Sequence, residues 1–232
     1  MKKHKMTKRL ILALGIIGLS VTGVRADSVN EKEITYADPT IYVENGKYYL
    51  TGTRNQEPQG FAILESTDLE HWTVPDDTSL QLILRKGDQT YGEKGFWAPQ
   101  YFKDKRTYYF TYTANEQTVI ASSKSVFGPF RQKEVKPIDA SAKNIDSFLF
   151  KDDDGKYYLY HVRFNKGNYL WVAEFDIKKG SIKPETLKQC MDCTEPWEKT
   201  PNYKSAPVME GPTVMKWDGV YYLFYSANHF MN

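Results

Sequence analysis

ADPTIYVENGKYYLTGT, from Ala37 to Thr53, is written three more times along the chain. The other copies are APQYFKDKRTYYFTYT from Ala98 to Thr113, IDSFLFKDDDGKYYLYH from Ile145 to His161 and EGPTVMKWDGVYYLFYS from Glu210 to Ser226. Each is a small residue or proline opening, an apolar run, a polar turn and an aromatic-rich run. The β-rich runs on either side of Asn45-Gly46 read as a hairpin, because both turn residues tolerate positive φ. Asp152 to Gly155 and Trp217-Asp218-Gly219 supply the same turn in the third and fourth copies, while Asp104 to Arg106 lacks glycine and is the weakest. The equivalent openings Asp38, Ala98, Asp146 and Gly211 stand 60, 48 and 65 residues apart. Self-similarity at that period, built from short strands, is the signature of β-propeller blades.

Strand material follows each hairpin: Phe61 to Glu65 ahead of Trp72, Val119 to Ser122 ahead of Phe130, and Tyr169 to Phe175 ahead of DIKKGSI. These runs predict the third and outer strands of four-stranded antiparallel blades, with Trp72 and Phe130 as aromatic plugs between neighbours. No segment of helical period competes, so the class is all-β. The chain ends 21 residues after Gly211, which predicts about three and a half blades, an incomplete propeller with one blade face bare. Poor solubility or weak activity is the expectation for such a chain.

Lys2, Lys3, Lys5, Lys8 and Arg9 precede an apolar run from Leu10 to Leu19, and Val24-Arg25-Ala26 closes the segment. That order of basic start, short apolar centre and small residue predicts a cleavable secretory signal over residues 1–26 and a catalytic-size domain over 27–232. Secretion or periplasmic export follows, with no membrane partner after cleavage. Removing residues 1–26 takes away six basic and no acidic residues, leaving 25 against 29, a net charge of −4. The positive balance of the whole chain is therefore a targeting feature and excludes a nucleic-acid footprint. Cys190 and Cys193 form a CMDC loop that reads as a loop with an optional disulfide, since two thiolates alone do not make a zinc site.

The repeat carries an acid at one structural position in blades one and three, Asp38 and Asp146, and Glu210 stands one residue ahead of that register beside Gly211. A bulge at the glycine or the longer glutamate side chain would bring the third carboxyl to the same centre. The innermost strand of a blade lines the channel, so the three acids are expected at one rim. Carboxylates brought together repel and raise the proton affinity of at least one. Glycosidic cleavage needs that kit, a protonated acid for the departing oxygen and an ionised carboxylate to activate water. Phe96 and Trp97 open blade two, where no acid stands, and read as sugar-stacking aromatics, with core filler as the alternative for Trp97. Arg163 reads either as a donor to a sugar hydroxyl or as half of a surface ion pair. His161 and His229 lack partners at metal spacing.

YADPTIYVENGKYYLTGT, KGFWAPQYF, IDSFLFKDDDGKYYLYH and MEGPTVMKWDGVYYLFYSANHF together resemble the successive blade openings of glycoside hydrolase family 43, five-bladed propellers acting on plant polysaccharides. The resemblance covers essentially all of residues 27–232. It implies Asp38 as general base, Asp146 as the residue that tunes the acid and orients substrate, and Glu210 as general acid. It further implies inverting hydrolysis of arabinose- or xylose-containing polymers, of the α-L-arabinofuranosidase or β-xylosidase type, with no cofactor required. Family members often hold a calcium or water cluster on the propeller axis, anchored by a histidine of the final blade, so the resemblance implies a structural calcium only for the complete propeller. A non-catalytic carbohydrate-binding propeller is the alternative reading, and the three acids argue against it, because neutral sugars are gripped mainly by aromatics and amides.

Overall fold

All four copies fold as hairpins in the computed structural model of the chain, which describes residues 28–29, 34–75, 81–199 and 207–228. The strands of the first blade and its flank are β1 (Ser28–Val29), β2 (Ala37–Glu44), β3 (Lys47–Thr53), β4 (Gly60–Ala62), β5 (Leu64–Ser66), β6 (Trp72–Thr73) and β7 (Leu82–Arg85). The second blade holds β8 (Trp97–Asp104), β9 (Thr107–Ala114) and β10 (Gln117–Ser123). The third holds β11 (Asn144–Lys151), β12 (Tyr157–Phe164), β13 (Asn168–Asp176), β14 (Ser181–Ile182) and β15 (Lys188–Gln189), and the fourth β16 (Met209–Trp217) and β17 (Val220–Ala227). No described residue is in an α-helix. The expected signal segment 1–26 and His229 lie outside the described residues, and no described helix is long and apolar enough to cross a membrane.

Turn chemistry explains the hairpins. Asn45 and Gly46 take φ 52° and 73°, and Asp218 and Gly219 take 48° and 77°, the left-handed pair that matches strand twist. The glycine-free second turn closes with Lys105 at φ 54°. One outer strand departs from expectation. The run Phe61 to Glu65 is split at Ile63: β5 pairs with β3, whereas β4 pairs with β7, whose Ile83 carbonyl accepts from the Phe130 amide. The first blade therefore lends a two-stranded ribbon, β4 with β7, to the flank of the second.

The core lies between blades. Tyr49 of blade one meets Tyr101, Phe110, Tyr112 and Phe130 of blade two; Leu149, Leu159 and Phe175 of blade three meet Phe102 and Ile120; and Ile145, Val162, Leu170 and Met209 join blade three to Leu223 and Tyr225 of blade four. Burying each such side chain stabilises by about 1.5–3 kcal/mol. Trp72 is buried, but against Leu50 and Leu64 of its own blade rather than as the expected plug between neighbours.

A polar joint repeats at the hairpin ends. Glu44 accepts from Lys103 and from the Tyr108 hydroxyl (2.5 Å). Asp104 accepts from Lys151 (2.7 Å) and Tyr157 (3.0 Å), and Asp152 from Lys216 (3.0 Å) and Tyr221 (2.6 Å). Each blade thus presents an acid to the Lys and Tyr of the next, fixing the angle between them. In the fourth blade Trp217, cross-strand from Val220 as Glu44 is from Lys47, takes the place of that acid and is 68% exposed; Tyr222 and Phe224 beside it are also exposed.

Candidate active site

The inner strand of every blade carries the same irregularity. Pairing slips between Ala37 and Thr40, Trp97 and Gln100, Ile145 and Phe148, and Glu210 and Thr213. The first residue of each bulge is left-handed: Asp38 at φ 47°, Ala98 at 44°, Asp146 at 51° and Gly211 at 61°. A bulge of this kind re-aims side chains at a sheet end. The bulge weighed at Gly211 alone is thus a property of all four blades. Glu210 sits just before it, cross-strand from Ser226, in the register place of Ala37, Trp97 and Ile145.

Between the four inner strands lies a cavity of about 510 Å³, lined by Asp38, Ala98, Asp146 and Gly211 at the bulges and by Gln100 and Thr213 further along. Asp38 and Asp146, both expected at a shared rim, line this one space. Glu210 is not among its lining residues, yet its charge acts on Asp146. A larger groove of about 840 Å³, between the second and third blades, contains none of the expected site residues.

Hydroxyls tie the bulges together. The Thr53 hydroxyl donates to Oδ2 of Asp38 (2.6 Å) and accepts from the amide of Ala98 (2.9 Å) in the next blade. Thr113, in the matching place of blade two, accepts from the amide of Asp146 (3.1 Å). Blade three has Val162 there, with no hydroxyl, and the amide of Gly211 donates to the Asp146 carboxylate instead (3.1 Å). Asn168 at the start of β13 donates its amide to Oε1 of Glu210 (2.6 Å). The sequence pattern does not single out Thr53, Thr113 or Asn168, because nothing local marks their side chains as partners of the acids.

Electrostatics follow from this packing. Burial, with the charges of Glu210 and then Asp38, pushes the Asp146 carboxyl up to about 7, against the opposing effect of the Gly211 amide. The Asp146 carboxyl therefore holds its proton toward neutral pH. Such a set can both donate a proton and accept one.

Trp97 is 37% exposed at the start of β8, its ring over Gly95, where a Cβ would stand 3.1 Å from Cζ2. Phe96 is not at the surface with it. It is buried and stacked on Tyr112, with centroids 5.7 Å apart, which corrects the stacking role considered for it. Arg163 pairs with Asp139, donates to Ser141 (3.0 Å) and lies over Trp171; it does not line the cavity. The ion pair weighed for Arg163 is present, but largely buried rather than at the surface. His161 is buried, with Nδ1 3.4 Å from the Leu159 carbonyl, and desolvation lowers it to about 4, so it is neutral. Cys190 and Cys193 are unlinked thiols packed against the core between blades three and four. No group of three or more His, Cys, Asp and Glu suited to a metal occurs among the described residues.

The bulged inner strands of this propeller bring carboxyls to one axial cavity, the pairing of groups that glycosidic cleavage uses. The comparisons place it more closely: the model for glycosyl hydrolases family 43 matches residues 32–231, and the chain belongs to that family. It is 28% identical over 244 residues to the extracellular endo-alpha-(1->5)-L-arabinanase 1 of Bacillus subtilis (strain 168), covering 97% of this chain and 72% of the relative. It is 29% identical to a xylosidase/arabinosidase of Butyrivibrio fibrisolvens over 82% of this chain and 37% of that one. Among solved structures, an endo-1,4-beta-xylanase from Bacteroides thetaiotaomicron VPI-5482 superposes with a TM-score of 0.75 at 42% identity, over 85% of this chain and 65% of the xylanase. The chain thus spans less than two thirds of two of these three relatives.

Proposed function

We propose that this protein is an inverting glycoside hydrolase that cleaves arabinose- or xylose-containing plant polysaccharides. The observation that supports it most is the shared cavity of Asp38 and Asp146, with Glu210 near enough to raise the proton affinity of Asp146. In this reading Asp38, held by Thr53, is the base that takes a proton from water as the water attacks the anomeric carbon. Glu210 gives its proton to the departing oxygen on the other side of the sugar. Asp146 keeps the cluster protonated through mutual repulsion and orients substrate. Inversion requires room for that water, a carboxyl separation of roughly 6.5–9.5 Å. Trp97, exposed beside the bulge of blade two, offers an aromatic face to a sugar ring.

The substrate class draws on the relatives, named as an arabinanase, a xylosidase/arabinosidase and a xylanase. The extracellular relative and the basic-apolar segment of residues 1–26 agree with an exported enzyme. The test is release of a pentose from nitrophenyl arabinofuranoside, nitrophenyl xyloside and a pentose oligosaccharide. Glu210→Gln is expected to abolish oligosaccharide cleavage, and unimpaired cleavage by that variant removes the acid assignment.

A further inference from the structure

Glu210 enters blade four through a strand that blade three grips. The backbone amide of Asn168 donates to the Pro207 carbonyl (2.9 Å), and Asn168 bridges Val208 in parallel. Gly167, at φ 145°, lies so close that a Cβ would stand 3.0 Å from both Cδ and the carbonyl oxygen of Pro207. The tip of the β12–β13 turn is therefore pressed onto the two residues leading into Met209 and Glu210. From that fixed point the Asn168 side chain reaches Oε1 of Glu210 at 2.6 Å.

We propose that Asn168 is a positioning residue that selects which oxygen of Glu210 carries the transferable proton. An amide N–H pairs best with a carbonyl oxygen. Holding Oε1 as the acceptor leaves Oε2 to bear the proton and fixes the rotation of the carboxyl plane. A carboxyl free to rotate would present its proton in many directions. A general acid must present it along the line to the leaving oxygen. The inference rests on Glu210 being the acid of the proposed hydrolase.

The experiment compares two substrates on the full chain. A pentose oligosaccharide has an alcohol leaving group that needs the proton, whereas a 2,4-dinitrophenyl pentoside has one that departs without it. Asn168→Ala is expected to lower kcat on the oligosaccharide about 10- to 100-fold, with KM within about 3-fold, while the dinitrophenyl substrate changes less than about 3-fold. Asn168→Asp, of the same shape but with an acceptor in place of the donor, is expected to show the same split and decides the matter where the alanine variant fails to fold. Parallel loss on both substrates would reduce Asn168 to a prop for the fold, and no loss on either would remove it from the site; both overturn the inference and leave the hydrolase reading intact. A wild-type chain that turns over neither substrate would overturn that reading, and the inference with it.

Discussion

The amide of Gly211 donates to the carboxylate of Asp146 at 3.1 Å, so a candidate catalytic side chain is also the joint between blades three and four. Thr53 and Thr113 do that work in the earlier blades, and Val162 cannot. Stability and chemistry therefore meet at Asp146.

Asp146→Asn separates them. The asparagine oxygen still accepts from Gly211, but no buried charge has to be carried. The folded protein binds the Asp146 proton more tightly than the unfolded chain, so its contribution is present below about pH 4 and is lost as pH rises through about 7. The variant is expected to be more stable than wild type at pH 8, on the order of 4 kcal/mol, with the gain vanishing near pH 4. Activity is expected to fall at least about 100-fold. Thermal melts across that range check the first expectation and initial rates the second.

Thr53 holds the proposed base. Thr53→Val removes both the donor to Asp38 and the acceptor for the Ala98 amide. A stability loss of about 1–2 kcal/mol is expected, with kcat down about 10-fold. Thr113→Val, which touches only the Asp146 amide, is expected to cost similar stability with a smaller rate effect. Thr53→Ser should restore both quantities, as urea unfolding and steady-state kinetics would show.

Trp97 is half open to solvent at the rim of blade two. Trp97→Ala is expected to raise KM for a pentose oligosaccharide about 10-fold with little change in kcat, and Trp97→Tyr to recover most of it, consistent with an aromatic contact of about 1 kcal/mol. An unchanged KM would leave the ring as cover for Gly95.

Much of this architecture is legible in the chain because hairpins announce themselves locally. Asn45-Gly46 and Asp218-Gly219 are turn pairs by their own backbone freedom. The bulges are less legible. A left-handed residue is suggested by Gly211 but not by Ala98, whose conformation is imposed by the Thr53 tie from the adjacent blade. Recurrence at one repeat position was enough to bring Asp38 and Asp146 together. The groups that hold the acids were hidden, because a threonine inside a strand has the same sequence appearance whether its hydroxyl is idle or ties two blades. Asn168 lies 42 residues from Glu210 and meets it only through the packing of blade on blade.

The stereochemistry of the first product tests the central claim most directly. Proton NMR of a pentoside cleavage mixture, recorded before mutarotation, is expected to show the anomer opposite in configuration to the linkage broken, as a water activated by Asp38 and a proton from Glu210 require. A first product of retained configuration would contradict the assignment of base and acid to these two residues.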